Sequence, residues 1–186
     1  MEPMSVIAGK FKNQKIQRVE DNRTKYTPSK VKNAIFSILE SKMPVKNTNF
    51  LDLCAGSGQM GLEALSRGAS FVTFVDISDK SIKTLKNNVQ RLSVADYVRI
   101  YKKDVIRFLK KPPDLYEIIF IDPPFNEVLF HRLTKKLFSK TGLIKPGGRI
   151  ILESFKDYKI EQNEHYSLED KYCYSSVKIE IFKRKG

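Results

Sequence analysis

Apolar residues along this chain fall into two alternating rhythms. Val31, Ile35, Ile38 and Leu39 recur at helical spacing through about Lys42. Thr27-Pro28 reads as the start of that helix, with Thr27 as N-cap and Pro28 at the first helical position. Asn49–Leu53 and Phe71–Val75 are apolar runs of strand length, separated by a short helical stretch, Met60–Arg67. Asp79–Leu92 carries Ile82, Leu85, Val89 and Leu92 on one helical face. The pattern then predicts a strand at Tyr97–Lys102, a short helix at Val105–Lys110 and a strand at Glu117–Ile121. A helix at Val128–Phe138, a turn-rich connection at Gly142–Gly148 and strands at Arg149–Ser154 and Val177–Phe182 follow. The strands lack polar alternation, as expected of strands buried on both faces. Helices alternating with such strands predict an α/β fold, an open and mostly parallel sheet with helices on both faces.

Residues 1–32 break this rhythm. They hold eight Lys or Arg against three acids and no sustained apolar period. Ser5–Gly9 and Gln14–Arg18 are expected to pair as a short hairpin around Lys10–Asn13. This divides the chain into a basic extension, 1–26, and an α/β domain, 27–186.

Charge narrows the partners. The 186 residues carry 34 Lys and Arg against 21 Asp and Glu, a net charge of +13. Nucleic acid is the first partner such a charge suggests, an anionic membrane surface the second. No apolar run approaches the roughly 20 residues of a membrane span. The N-terminus lacks the pattern of a secretion signal, so a cytoplasmic location is expected. Cys54, Cys173, His131 and His165 are scattered, and no metal is expected. Cys54 reads as core, both histidines as surface, and Tyr166, Tyr172 and Tyr174 as sheet packing rather than base stacking.

Candidate chemistry begins at Leu51–Gly61, where Gly56, Gly58 and Gly61 form G-x-G-x-x-G between a strand and a helix. Glycines there permit a tight turn and close backbone approach to a ligand. Asp76 closes the next strand, where a carboxylate can accept from both ribose hydroxyls. Ser78 is the better cap for the helix that follows. Asp52 precedes the glycines and would repel a pyrophosphate, which argues against a nicotinamide dinucleotide. It suits an ammonium or sulfonium, and S-adenosylmethionine has both. Pinning the loop through backbone N–H groups is its alternative role. Asp104 is placed to take an adenine amino group, to cap the helix after it, or both. The expected cofactor set is Asp52, Ala55, Gly56, Ser57, Gly58, Gly61, Asp76, Ile77, Asp104 and Val105.

The most specific feature is Asp122-Pro123-Pro124-Phe125 at the end of a buried strand. Two prolines without N–H groups give a stiff turn that presents only acceptors. Acceptors on both N–H bonds hold an exocyclic amine while its nitrogen turns tetrahedral during methyl transfer. Phe125 is positioned to stack on the base. These four residues are the expected catalytic set.

Together the Asp52–Gly61 loop, Asp76, Asp104 and Asp122–Phe125 resemble class I S-adenosylmethionine-dependent amino-methyltransferases. Ser5–Ile16, Thr27–Leu39, Leu51–Gly68 and Gly142–Gly148 running into Glu153-Ser154 are similar to the RsmD family, bacterial enzymes acting on guanine N2 of 16S ribosomal RNA. The resemblance covers nearly the whole chain. It implies a Rossmann-like, seven-stranded sheet whose last strand is antiparallel, preceded by a small hairpin that helps hold RNA. One departure stands out: many members have Arg-Pro-Thr before the first helix, whereas this chain has Lys25-Tyr26-Thr27-Pro28. Lys10, Lys12, Lys15, Arg18, Arg23, Lys25 and Lys30 read as a phosphate-binding group ahead of the catalytic fold. The expected substrate is ribosomal RNA, within a small-subunit particle, bound by a monomer. Adenine-N6 methylation of RNA or DNA and a non-catalytic RNA-binding assembly factor are the competing readings.

Overall fold

The structure, a computed structural model, describes residues 4–20, 26–124, 126–139, 142–160 and 164–186. Within them lies one seven-stranded sheet: β1 (Asn49–Leu53), β2 (Phe71–Asp76), β3 (Val98–Lys102), β4 (Tyr116–Ile121), β5 (Ile144–Phe155), β6 (Tyr166–Tyr174) and β7 (Val177–Arg184). Their spatial order is β3-β2-β1-β4-β5-β7-β6. β1 to β5 are parallel neighbours, and β7 runs antiparallel to both β5 and β6.

The helices divide between the two faces. α1 (Ser29–Lys42), α2 (Gln59–Ser66) and α3 (Asp79–Arg91) pack on one side through Phe36, Leu39, Met60, Leu62, Leu85 and Val89. α4 (Val105–Phe108) and α5 (Glu127–Phe138) cover the other through Phe108, Phe130, Leu133 and Leu137. Sandwiched strands explain why β1, β2 and β4 are mainly apolar without polar alternation.

Three local expectations are corrected. Thr27 does not cap α1. Pro28 occupies the cap position with no side-chain bond, and the Thr27 hydroxyl instead donates to Glu153 Oε2 at 3.1 Å. Much of Gly142–Gly148 is strand: β5 already starts at Ile144, and its register against β4 shifts between Tyr116 and Ile118. An irregular register of this kind looks like a turn in sequence. β6 escaped the apolar pattern because its residues are mostly exposed. It is an edge strand, guarded by Glu169, Asp170 and Lys171.

The N-terminal segment forms the expected hairpin in irregular form. Ser5 bridges Lys15, and the Val6, Asn13 and Ile16 N–H groups donate across it to Gln14, Val6 and Met4. Met4, Val6 and Ile16 join the apolar cluster beneath α1 to α3. Further bonds fix this arm to α2. Glu63, fully buried, accepts from the Ile7 and Ala8 N–H groups at 2.8 and 3.0 Å. The Ser66 hydroxyl accepts from the Phe11 N–H at 2.9 Å and donates to the Ala8 carbonyl.

Candidate active site

The sheet reverses its winding between β1 and β4, which are neighbours in space but flank β2 and β3 in sequence. Open α/β sheets bind ligands outside the carboxyl ends of strands at such a point. Leu53 aligns with Val75 of β2 and Ile121 of β4, so the segments after all three strands emerge at one edge. A cavity of about 800 Å³ opens there. Of the expected residues, Asp52, Ala55, Gly56, Ser57, Asp76, Ile77, Asp104, Val105, Asp122, Pro123 and Pro124 line it. Phe125 lies outside the described residues.

Each carboxylate has a structural partner already. Asp76 accepts from the Gly56 N–H through Oδ2 and from the Ser78 N–H through Oδ1, both at 2.8 Å. Ser78 caps α3, accepting from the Ser81 N–H at 3.3 Å. Asp104 caps α4 by accepting from the Arg107 N–H at 2.9 Å. Asp52 pins the loop by accepting from the Gly61 N–H at 2.9 Å. Burial pushes the Asp52 carboxyl well above the usual carboxylate range; the Gly61 N–H opposes this, and nearby Asp76 adds to it. A buried carboxylate crowded by a second one favours a cation beside it.

Gly58 and Gly61 stand apart from the cavity lining. Gly58 adopts φ +80° under Leu85, and a Cβ on Gly61 would come within 2.3 Å of the Phe74 ring. Gly61 lets α2 pack closely on β2, and Gly58 leaves room for Leu85 of α3.

The Asp122 turn ends β4 and leads to α5, capped by Asn126, whose side chain accepts from the Leu129 N–H at 2.9 Å. Pro123 is buried and Pro124 exposed. Cys54, also on the wall, adopts φ +61°, a strained conformation for a side-chain-bearing residue. Burial pushes its thiol up, and the Asp76, Asp122, Asp52 and Asp104 carboxylates push it further. Both effects disfavour the thiolate form.

Other lining residues were not foreseen: Tyr26, Thr27, Gln59, Met60, Ser81, Phe120, Leu129 and Phe155. Behind Thr27 stands Glu153, a buried carboxylate accepting from Thr27 Oγ1 and from the Tyr174 hydroxyl at 2.9 Å. Burial raises the Glu153 carboxyl, against the lowering effect of those two hydroxyls. A charged residue, Glu153, directly after the apolar run Ile150–Leu152 was the available signal, since such a group needs partners when buried.

Lys10, Lys12 and Lys15 of the arm are exposed, and Lys30, also exposed, stands in the first turn of α1. The Arg18 guanidinium lies 5.0 Å from the centre of the Tyr26 ring. Arg23 and Lys25 lie outside the described residues.

A parallel sheet closed by one reversed strand, with a glycine loop and an Asp-Pro-Pro turn at its switch point, defines a class I methyltransferase. Residues 4–183 match the family model described as Conserved hypothetical protein 95. A Ribosomal RNA small subunit methyltransferase D from Buchnera aphidicola of Acyrthosiphon pisum is 31% identical, the match covering 95% of this chain and 91% of that one. The putative rRNA methyltransferase YlbH of Bacillus subtilis is 30% identical over 98% of this chain and its own full length. The putative methylase HI0767 of Haemophilus influenzae superposes with a TM-score of 0.82 at 26% identity, covering both chains entirely. The chain belongs to this family, the RsmD methyltransferases. Among the described residues no helix is long and apolar enough to cross a membrane, and no His, Cys, Asp and Glu cluster could hold a metal ion.

Proposed function

We propose that this protein transfers the methyl group of S-adenosylmethionine to the exocyclic N2 amine of a guanine in small-subunit (16S) ribosomal RNA. One observation carries the reading: the carboxylates at the ends of β1 and β2 and the acceptor-only Asp122 turn line a single cavity. Bound there, S-adenosylmethionine supplies an electrophilic methyl group on its sulfonium. Asp52 balances the positive charge, Asp76 accepts from the ribose hydroxyls and Asp104 from the adenine amine. Ile77, 66% exposed at the cavity wall, gives the adenine an apolar face.

Asp122 and the backbone carbonyls of its turn accept both N–H bonds of the guanine amine. This holds the nitrogen lone pair toward the methyl carbon and stabilises the positive charge that grows on nitrogen. The nitrogen would become acidic on methylation, and Asp122 or water would take its proton. Phe125 stacks on the base, which must leave its own stack to enter. Residues 1–26 form an RNA-contacting extension on the catalytic domain, 27–186. The names of its relatives support ribosomal RNA as the substrate.

Asp122→Ala tests the assignment. Methyl transfer should fall by at least about 100-fold, the scale of a lost transition-state acceptor, while cofactor and RNA binding persist. Retained transfer refutes the catalytic role.

A further inference from the structure

The arm does more than fold back on the domain; it runs alongside α3. Asn88, fully buried on α3, accepts from the Gln17 N–H at 2.7 Å and donates to the Gln17 carbonyl at 3.0 Å and the Ser57 carbonyl at 2.9 Å. Asn87 donates to the Gln17 side chain at 3.3 Å, and Lys80 to the Glu20 carbonyl at 3.4 Å. At the far end of α3, Arg91 lines a depression of about 400 Å³ with Lys12, Asn13, Gln14 and Lys15. These contacts run in order, Glu20 beside Lys80, Gln17 beside Asn87 and Asn88, and Lys15 beside Arg91. The arm is thus antiparallel to the helix.

Residues 80, 83, 87 and 91 recur at three- and four-residue spacing, so they form one stripe of α3. Lys80, Lys83 and Arg91 therefore stand along the same seam as Lys12 and Lys15, all exposed. Among the described residues two acids flank them. Glu20 is exposed, and Asp79 is paired with Lys102 at 2.5 Å. From Lys80 to Arg91 the helix rises about 16 Å. Its first turn, Ser78 and Ser81, lines the active-site cavity. A basic seam thus begins at the cavity rim and ends in a depression lined by polar residues, whose guanidinium and two ammonium groups suit a phosphate.

We propose that the seam between the arm and α3 is the track for the RNA backbone leaving the target base, with Lys83 and Arg91 as phosphate contacts that α3 contributes. The proposal rests on the ribosomal RNA reading above. The seam gives position along the strand, not base identity.

The test is binding of an unmethylated small-subunit ribosomal RNA fragment to the full chain, titrated between about 50 and about 200 mM salt. Both side chains are exposed, so the variants should fold. Lys83→Ala with Arg91→Ala should weaken binding and reduce the log–log salt slope by about 1.4 to 1.8, two single-strand to duplex phosphate increments. Lys83→Arg with Arg91→Lys should keep the wild-type slope. Lys111→Ala with Lys135→Ala removes two exposed charges from the α4–α5 side and should leave the slope unchanged. A slope for the Lys83 and Arg91 alanine pair equal to that of the Lys111 and Lys135 pair overturns the track, while wild-type methyl transfer to the same RNA keeps the reaction standing. Failure of the wild type to methylate ribosomal RNA at all overturns the reading beneath it.

Discussion

Replacing Glu63 by Gln isolates what holds the arm in place. The carboxylate lies within an almost wholly buried helix, where it meets Lys32 Nζ at 3.6 Å, Arg67 Nε at 2.9 Å and the Ile7 and Ala8 N–H groups. Lys32 is 1% exposed. Glutamine has one acceptor oxygen. Its amide nitrogen must then face either the Ile7 N–H or the Ala8 N–H and Arg67, leaving a buried donor without an acceptor. That costs about 1–3 kcal/mol. Lys32 also loses its counter-charge, and breaking a buried pair in this way costs about 3–5 kcal/mol in all. The Ser5 carbonyl still accepts from Lys32 at 3.0 Å, and Glu40 still pairs with Arg67 at 3.0 Å, so the lower end, about 3 kcal/mol, is expected. Urea unfolding of wild type and variant measures it. The pH dependence gives a second check. Burial already lowers the Lys32 ammonium against the raising effect of Glu63. Without Glu63 the folded value drops further below the unfolded one. The unfolded chain then binds more protons over a wider range, so the variant should regain stability as pH rises toward the usual lysine value. Adding Lys32→Met should recover part of the loss. A deficit under about 1 kcal/mol, or no steeper pH dependence, would refute this account of the clamp.

Two further predictions follow from the cofactor loop. Gly61→Ala should destabilise by about 1–2 kcal/mol, because overpacking against Phe74 outweighs the helix propensity gained; calorimetry reads this, and a selective loss of cofactor affinity at unchanged stability would return Gly61 to the ligand site. The raised Asp52 carboxyl should drop when a cation binds beside it, so the free protein holds the proton that the complex releases. Cofactor affinity should therefore climb with pH up to the raised value and then level off, with proton release visible by calorimetry in buffers of different ionisation enthalpy. Asp52→Asn should bind more weakly with no such climb, and a pH-independent wild type would sink the argument.

How far the chain could be read depended on the range of the interactions. β1, β2 and β4 were legible because burial on both faces leaves them mainly apolar without alternation, and Asp76 and Asp122 because each closes such a stretch. β6 was not, since an exposed edge strand has no reason to be apolar. Thr27 beside a proline has the local signature of a cap, yet Glu153, distant in sequence, takes its hydroxyl. Gly61 fits the ligand-loop spacing, but its packing role, the nearness of Phe74, depends on a distant strand and has no local signal. The clamp of Glu63, Ser66 and Asn88 on the arm joins residues 55 to 71 positions apart. Only one hint was local: Glu63 sits between Leu62 and Ala64 in an apolar helix, and a charge there demands a partner.

The most direct test of the central claim is the identity of the product. Labelled S-adenosylmethionine would be offered to ribosomal RNA and to small-subunit particles from cells lacking this protein, and the RNA then digested to nucleosides. Label in N2-methylguanosine at one site is the predicted result. Label in N6-methyladenosine, or none in any nucleic acid despite intact cofactor binding, would contradict it.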